Sequence, residues 1–193
     1  MLPEQLLRQF IHSLHPLTEQ EMDVLVAGWK PLEVKRKTLI TAAGEREKYL
    51  YFVLEGVQRA FYLTSDNREA TIVFTYPPSF SGVADSLLTN TPSNYYMETL
   101  TASRFLRIPA DQIHQLIKQY PNIQQMVLNT TALILKGVLY RQIELQCFTN
   151  EEKFRALMKR SPHLLNLVPH KYIASYLGMD ATNFSKLLGS IRI

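Results

Sequence analysis

Apolar and polar positions change rhythm along this chain. In "PEQLLRQFIHSL" apolar side chains recur at helical spacing, and "PLTEQEMDVLVAGW" follows with Thr18 and Glu21 three residues apart. That spacing predicts a capping box, in which each side chain satisfies the other residue's free backbone N–H. Two short helices are expected here. From Trp29 to Ile108 short runs of β-branched and aromatic residues alternate with turn residues. "YLYFVLEGVQRAFYL" reads as two strands joined at Glu55-Gly56. Roughly eight such strands predict an antiparallel barrel or jelly roll.

After Pro109 the helical rhythm returns. "ADQIHQLIKQY" is one short helix, stopped by Pro121, and "NIQQMVLNTTALILKGVLYRQIELQCF" is a long one without proline. At about 1.5 Å per residue it spans roughly 35–40 Å. Ile123, Val127, Thr130, Ile134 and Gly137 form one stripe, and Leu128, Leu135, Val138, Leu139 and Leu145 widen the apolar surface. One barrel does not cover both faces, so the stripe reads as a dimer interface with the same helix of a second subunit. Ordinary packing on the barrel is the plainer account.

"FTNEEKFRALMKRSP" opens the last unit, with Thr149 and Glu152 again at capping-box spacing. In "PHKYIASYLGMDATNFSKLLGSI", Pro169 can start a helix. Gly178 stands where the chain must turn, and Asp180 precedes a second helix as N-cap. Ile173, Ala174 and Leu177 face Phe184, Leu187 and Leu188. Such a helix–turn–helix leaves Ala181, Thr182, Asn183, Ser185 and Lys186 outward, where a DNA-reading helix meets the major groove. Helical hairpins without a DNA role share the pattern. The expected fold is α+β: a β-roll over residues 1–120, a dimerisation helix over 121–147 and a helix–turn–helix unit over 148–193.

Charge sharpens the last assignment. Of 21 basic and 17 acidic residues, seven and three lie from Glu151 onward, which leaves fourteen of each before it. A neutral body with a basic tail points to a polyanion partner. The single cysteine, Cys147, excludes an intramolecular disulfide and a multi-cysteine metal or iron–sulfur site within one chain, and suggests a cytoplasmic setting. No apolar run approaches the ~20 residues of a membrane span, and the N-terminus does not read as a signal peptide. The five histidines (His12, His15, His114, His163, His170) all fall outside the strand region. A metal-dependent enzyme on the barrel is therefore a poor reading, and no nucleophile triad, P-loop or dinucleotide fingerprint appears.

The order of "YFVLEGVQRAFY", "SFSGVADSLLTNTPSNYYMETL", a long helix and "IASYLGMDATNFSKLL" resembles the Crp/Fnr-type transcription regulators over essentially the full length. The resemblance implies a cyclic-nucleotide-binding β-roll, a dimerising central helix, a C-terminal DNA-binding domain and double-stranded DNA and RNA polymerase as partners. It implies no enzyme activity and no required cofactor.

Two motifs depart from the family. Its nucleotide loop carries Gly-Glu near the start, for the ribose 2′-OH, and an Arg near the end, for the cyclic phosphate. Here the start is Phe80-Ser81-Gly82-Val83 and the end Asn94-Tyr95-Tyr96. Cyclic AMP binding is therefore expected to be weak or absent. Together with Tyr76, these residues either hold another effector or fill the core. Asp85 is a possible shifted carboxylate, and Arg59 and Arg68 are expected on solvated strand positions. The reading helix shows Ala181, Thr182 and Lys186 where the family presents Arg or Glu and then Arg, and only "GSIRI" follows it. Binding should then lean on Thr182, Asn183 and Ser185 at bases or backbone, and on Lys171, Lys186 and Arg192 at phosphates.

Overall fold

The computed structural model describes residues 2–190. Helices α1 (Pro3–Leu14) and α2 (Glu19–Ala27) lead into eight strands: β1 (Lys30–Val34), β2 (Leu39–Thr41), β3 (Tyr49–Glu55), β4 (Gln58–Leu63), β5 (Glu69–Thr75), β6 (Ser79–Ser81), β7 (Tyr96–Thr99) and β8 (Ser103–Pro109). They form two antiparallel sheets, ordered β1-β8-β3-β6 and β2-β7-β4-β5. Helix α3 (Ala84–Thr89) interrupts them. Then come α4 (Ala110–Gln119), α5 (Pro121–Cys147), α6 (Asn150–Arg160), α7 (Leu164–Leu167), α8 (His170–Tyr176) and α9 (Ala181–Ser190). The short helices α3 and α7 carry too few turns to leave a helical period in the sequence.

Both capping boxes form. Glu21 N donates to Thr18 Oγ1 at 3.3 Å and Thr18 N to Glu21 Oε2 at 3.0 Å. Thr149 and Glu152 repeat the exchange at 2.8 and 3.3 Å. Each such cap is worth about 0.5–2 kcal/mol. Glu21 also accepts from the Asn122 carboxamide, tying α2 to the start of α5. That bond and the Thr18 backbone hold its carboxyl below the usual range.

The strand alternation sends side chains to three places. The outer face of the first sheet packs on α1, α2, α4 and the start of α5, with Phe52 and Phe80 beside Phe10 and Trp29. The roll interior holds Tyr51, Val53 and Phe105, and beside them Ala60, Val83 and Met97. A polar chain crosses it, from Ser103 through Gln58 and Thr75 to Ser81. The outer face of the second sheet supplies Val57, Phe74 and Leu100 to the core of the C-terminal unit, where they meet Phe154, Leu164, Ile173 and Phe184. That unit is thus seated on the roll.

Helix α5 is anchored at both ends and bare between. Ile123 and Met126 are buried in the first core, and Glu144 is fully buried against α6. Every residue from Thr131 to Tyr140 is exposed. The stripe Ile123–Val127–Thr130–Ile134–Gly137 therefore needs correction. Ile123 belongs to the core, Val127 is half-buried against it and Thr130 is half-buried, whereas Ile134 and Gly137 are exposed. The exposed heptad track is Leu128, Thr131, Leu135, Val138 and Gln142, with Leu139 on its flank.

Candidate nucleic-acid interface and effector loop

Helix α9 owes its position to the turn before it. Gly178 has φ +67°, and Met179 N closes the turn on Ala174 O at 3.0 Å. Asp180 caps α9 as expected, with Oδ1 accepting from Asn183 N at 2.7 Å. Phe184 is buried against Phe154. Its ring holds α9 down and turns the opposite face out. Thr182, Ser185, Lys186 and Gly189 share that face and are all exposed. Asn183 is exposed beside them, but its Nδ2 donates to Asp180 Oδ2 at 2.5 Å. Its oxygen and its second amide N–H are left for outside partners.

Lys171 is exposed on α8, with Nζ 4.7 Å from the Tyr172 ring centre. Lys186 is the cation of the described part of α9, and Arg192 lies outside the described residues. The stripe can donate and accept hydrogen bonds through two hydroxyls and offers one ammonium. Lys cannot make the planar two-point contact with a guanine edge that Arg makes.

The effector-loop residues do not converge as a group. Ser81, Gly82, Val83 and Tyr95 turn toward the roll interior, where Val83 and Tyr95 pack with Ala60 and Met97. Phe80 points the other way, into the aromatic cluster with Trp29. Tyr96 stacks on Phe61 on the outer face, rings 5.2 Å apart. Tyr76 reaches the C-terminal unit, bonding Ser161 and meeting the His163 ring at 4.4 Å. Asn94 is exposed. Strand alternation separates Phe80 and Tyr96 from the interior, so a pocket containing all eight does not exist.

Two residues carry more than the sequence indicated. Glu47 is buried under the loop, and its carboxylate accepts from Thr41 Oγ1 at 2.7 Å, Val83 N at 2.9 Å, Lys48 N at 3.0 Å and Tyr49 N at 3.3 Å. Gly82, at φ +116°, lets the chain pass over it. Asp85 is exposed and accepts from the Tyr95 hydroxyl. Burial, then that carboxylate, pushes the Tyr95 phenol well above its ordinary range. The loop thus has Glu47 beneath it and Asp85 at its rim, and none of residues 80–96 is Lys or Arg.

Arg59 is the second. It is not solvated but 1% exposed, paired with Glu98 at 2.6 Å and Glu69 at 2.5 Å under the Tyr172 ring. The expectation failed because the face of β4 it occupies is roofed by α8. Arg68 is exposed as expected, paired with Asp66. Among the described residues, no group of three or more His, Cys, Asp or Glu is arranged to hold a metal. Among them, too, no helix is long and apolar enough to cross a membrane.

Comparison with known proteins agrees with this layout. Residues 31–120 match the cyclic nucleotide-binding domain. The fumarate and nitrate reduction regulatory protein of Yersinia pestis is 23% identical over 187 residues, covering 90% of this chain and 73% of that protein. FixK2 from Bradyrhizobium japonicum shares the fold with TM-score 0.74 and 17% identity over 83% of each chain. The catabolite activator protein of Thermus thermophilus does so with TM-score 0.57 and 20% identity, over 93% of this chain and 89% of that one. Residues 31–120 thus form a cyclic nucleotide-binding domain, and with its long central helix and terminal helix pair the chain is similar in sequence and fold to Crp/Fnr-type regulators.

Proposed function

We propose that this regulator binds double-stranded DNA through α9 as a homodimer joined along α5, and that cyclic AMP is not its effector. The outward stripe of Thr182, Ser185 and Lys186 on a helix pinned by Phe184 carries the DNA reading. Its small cationic content makes affinity depend on two copies engaging together. The bare stretch from Thr131 to Tyr140 supports the dimer, because none of the described residues covers this largely apolar surface. On this reading the protein works in the cytoplasm, and RNA polymerase is its onward partner.

The loop chemistry supports the second half. A cyclic phosphate entering there meets two carboxylates and no arginine, and the Val83 N–H is already bonded to Glu47. Desolvating the phosphate without a cationic partner is costly. An effector, if one enters, is uncharged or cationic.

A mobility-shift assay with DNA from upstream of the protein's own gene, at low salt, tests the DNA reading. Wild type should retard the fragment and Lys186→Ala should weaken it. No retardation by wild type, with or without cell extract as an effector source, would sink the reading. Titration calorimetry with cyclic AMP should show no binding, and micromolar affinity would overturn that part.

A further inference from the structure

A column of stacked side chains runs from the end of the effector loop to the first helix of the DNA-reading pair. It starts at Tyr96 on β7, directly after the loop, whose ring lies 5.2 Å from Phe61 on β4 at 17°. Arg59, two residues before Phe61 and on the same face, sets Cζ 4.1 Å from that ring. The other side of its guanidinium carries Tyr172 of α8, with Cζ 3.6 Å from the ring centre. Flat groups in such a stack move together, because tilting one opens a gap against the next.

The charge arrangement explains how the joint can open. A buried guanidinium is costly without counter-charge. Arg59 finds its partners wholly within the roll: Glu98 on β7, Glu69 on β5 and Thr71 Oγ1 at 3.3 Å. From α8 it receives only an aromatic lid. Lifting α8 therefore strands no ion, and water can take the place of Tyr172 over a charge that stays paired. Arg141 of α5 also donates to Tyr176 O of α8, and the hydrogen bonds between α8 and the sheet are replaceable by water. Ser175 Oγ accepts from Thr71 N at 2.9 Å and donates to Glu69 O at 3.0 Å, both on the sheet's edge strand.

We propose that Tyr96, Phe61, Arg59 and Tyr172 form a relay by which the effector loop controls the docking of α8, and with it the orientation of α9. Arg59 and Tyr96 are positioning residues, since neither lies on the outward face of α9. The relay's consequence for DNA rests on the DNA-binding reading above. The docking itself does not.

Hydrogen exchange by mass spectrometry on the full-length protein without DNA tests it. Three variants are compared with wild type: Arg59→Lys, which keeps the charge but loses the flat fork; Tyr172→Leu, made from the α8 side; and Tyr96→Leu, two side chains away from α8. Each should speed exchange at least tenfold in peptides covering 69–75 and 170–177, with β3 and β8 peptides unchanged. Tyr172→Leu and Tyr96→Leu keep the test open should Arg59→Lys fold poorly. Faster exchange in Tyr172→Leu alone overturns the relay, because loss of a local contact gives that result. Unchanged exchange in 170–177 for Tyr96→Leu overturns it too. In the mobility-shift assay, Tyr96→Leu should change affinity at least fivefold, and unaltered affinity would remove the relay's control of DNA binding. Should wild type bind no DNA at all, the DNA reading falls while the exchange result stands by itself.

Discussion

Glu144, fully buried near the end of α5, accepts from Arg160 Nη2 of α6 at 3.0 Å, and Arg141 Nη1 reaches the same carboxylate at 3.1 Å. These ion pairs tie the long helix to α6 of the C-terminal unit. Burial pushes the Glu144 carboxyl upward, but the hydrogen bonds and charges of Arg160 and Arg141 outweigh it and hold the group below the usual range. A depressed carboxyl stabilises the fold above the ordinary value of about 4.3 and loses that contribution as pH falls through the folded value. Glu144→Gln should cost about 1–3 kcal/mol at pH 7, since two arginines lose their anion. The gap to wild type should shrink between about pH 5 and pH 3. Urea midpoints across that range check it, and a gap independent of pH would be the wrong outcome.

The turn at Gly178 is tight on two counts. Its φ of +67° disfavours any side chain, and a Cβ there would stand 3.0 Å from Leu145 Cδ2 of α5. Gly178→Ala should destabilise by roughly 1–2 kcal/mol from the backbone alone. Thermal melting monitored by circular dichroism measures it. A variant as stable as wild type would mean that the turn relaxes freely.

Leu135 and Ile123 separate the two accounts of the long helix. Leu135 is 55% exposed and Ile123 fully buried. Leu135→Glu should halve the mass seen in light scattering while leaving the circular dichroism spectrum intact. Ile123→Glu should instead unfold the roll. A Leu135→Glu protein of unchanged mass would remove the heptad track as the interface.

Glu47 should prove the support of the effector loop. Glu47→Gln turns one acceptor into a donor facing backbone N–H groups, at a cost of about 1–3 kcal/mol. Exchange should quicken over residues 82–95 before the rest of the roll. Loss spread evenly over the whole protein would argue against a local support.

What the sequence made readable was local. Thr18 with Glu21, Thr149 with Glu152, and Gly178 before Asp180 each act across a few residues, so spacing alone identifies them. Strand alternation separates Arg59 from Ala60, and Phe80 from Ser81, but does not say which face will be roofed. The roof over Arg59 is Tyr172, from a distant helix, and the roof over Phe80 is Phe10 and Trp29. Tyr76, Phe80 and Tyr96 are therefore near in sequence to a loop whose interior they do not enter. Glu47 stands in the polar run "GEREKY", and a buried acceptor leaves no periodic trace. The long helix showed how much apolar surface it has, but its anchors at Ile123 and Glu144 depend on partners from both units.

The naked middle of α5 has a final consequence. In the proposed dimer, assembly is a second-order step, and the paired state gains on the unpaired one with every added molecule. The number of copies a cell makes then acts as an input beside any small molecule. Dilution alone would shift such a protein toward its unpaired form, with no change in the loop at all.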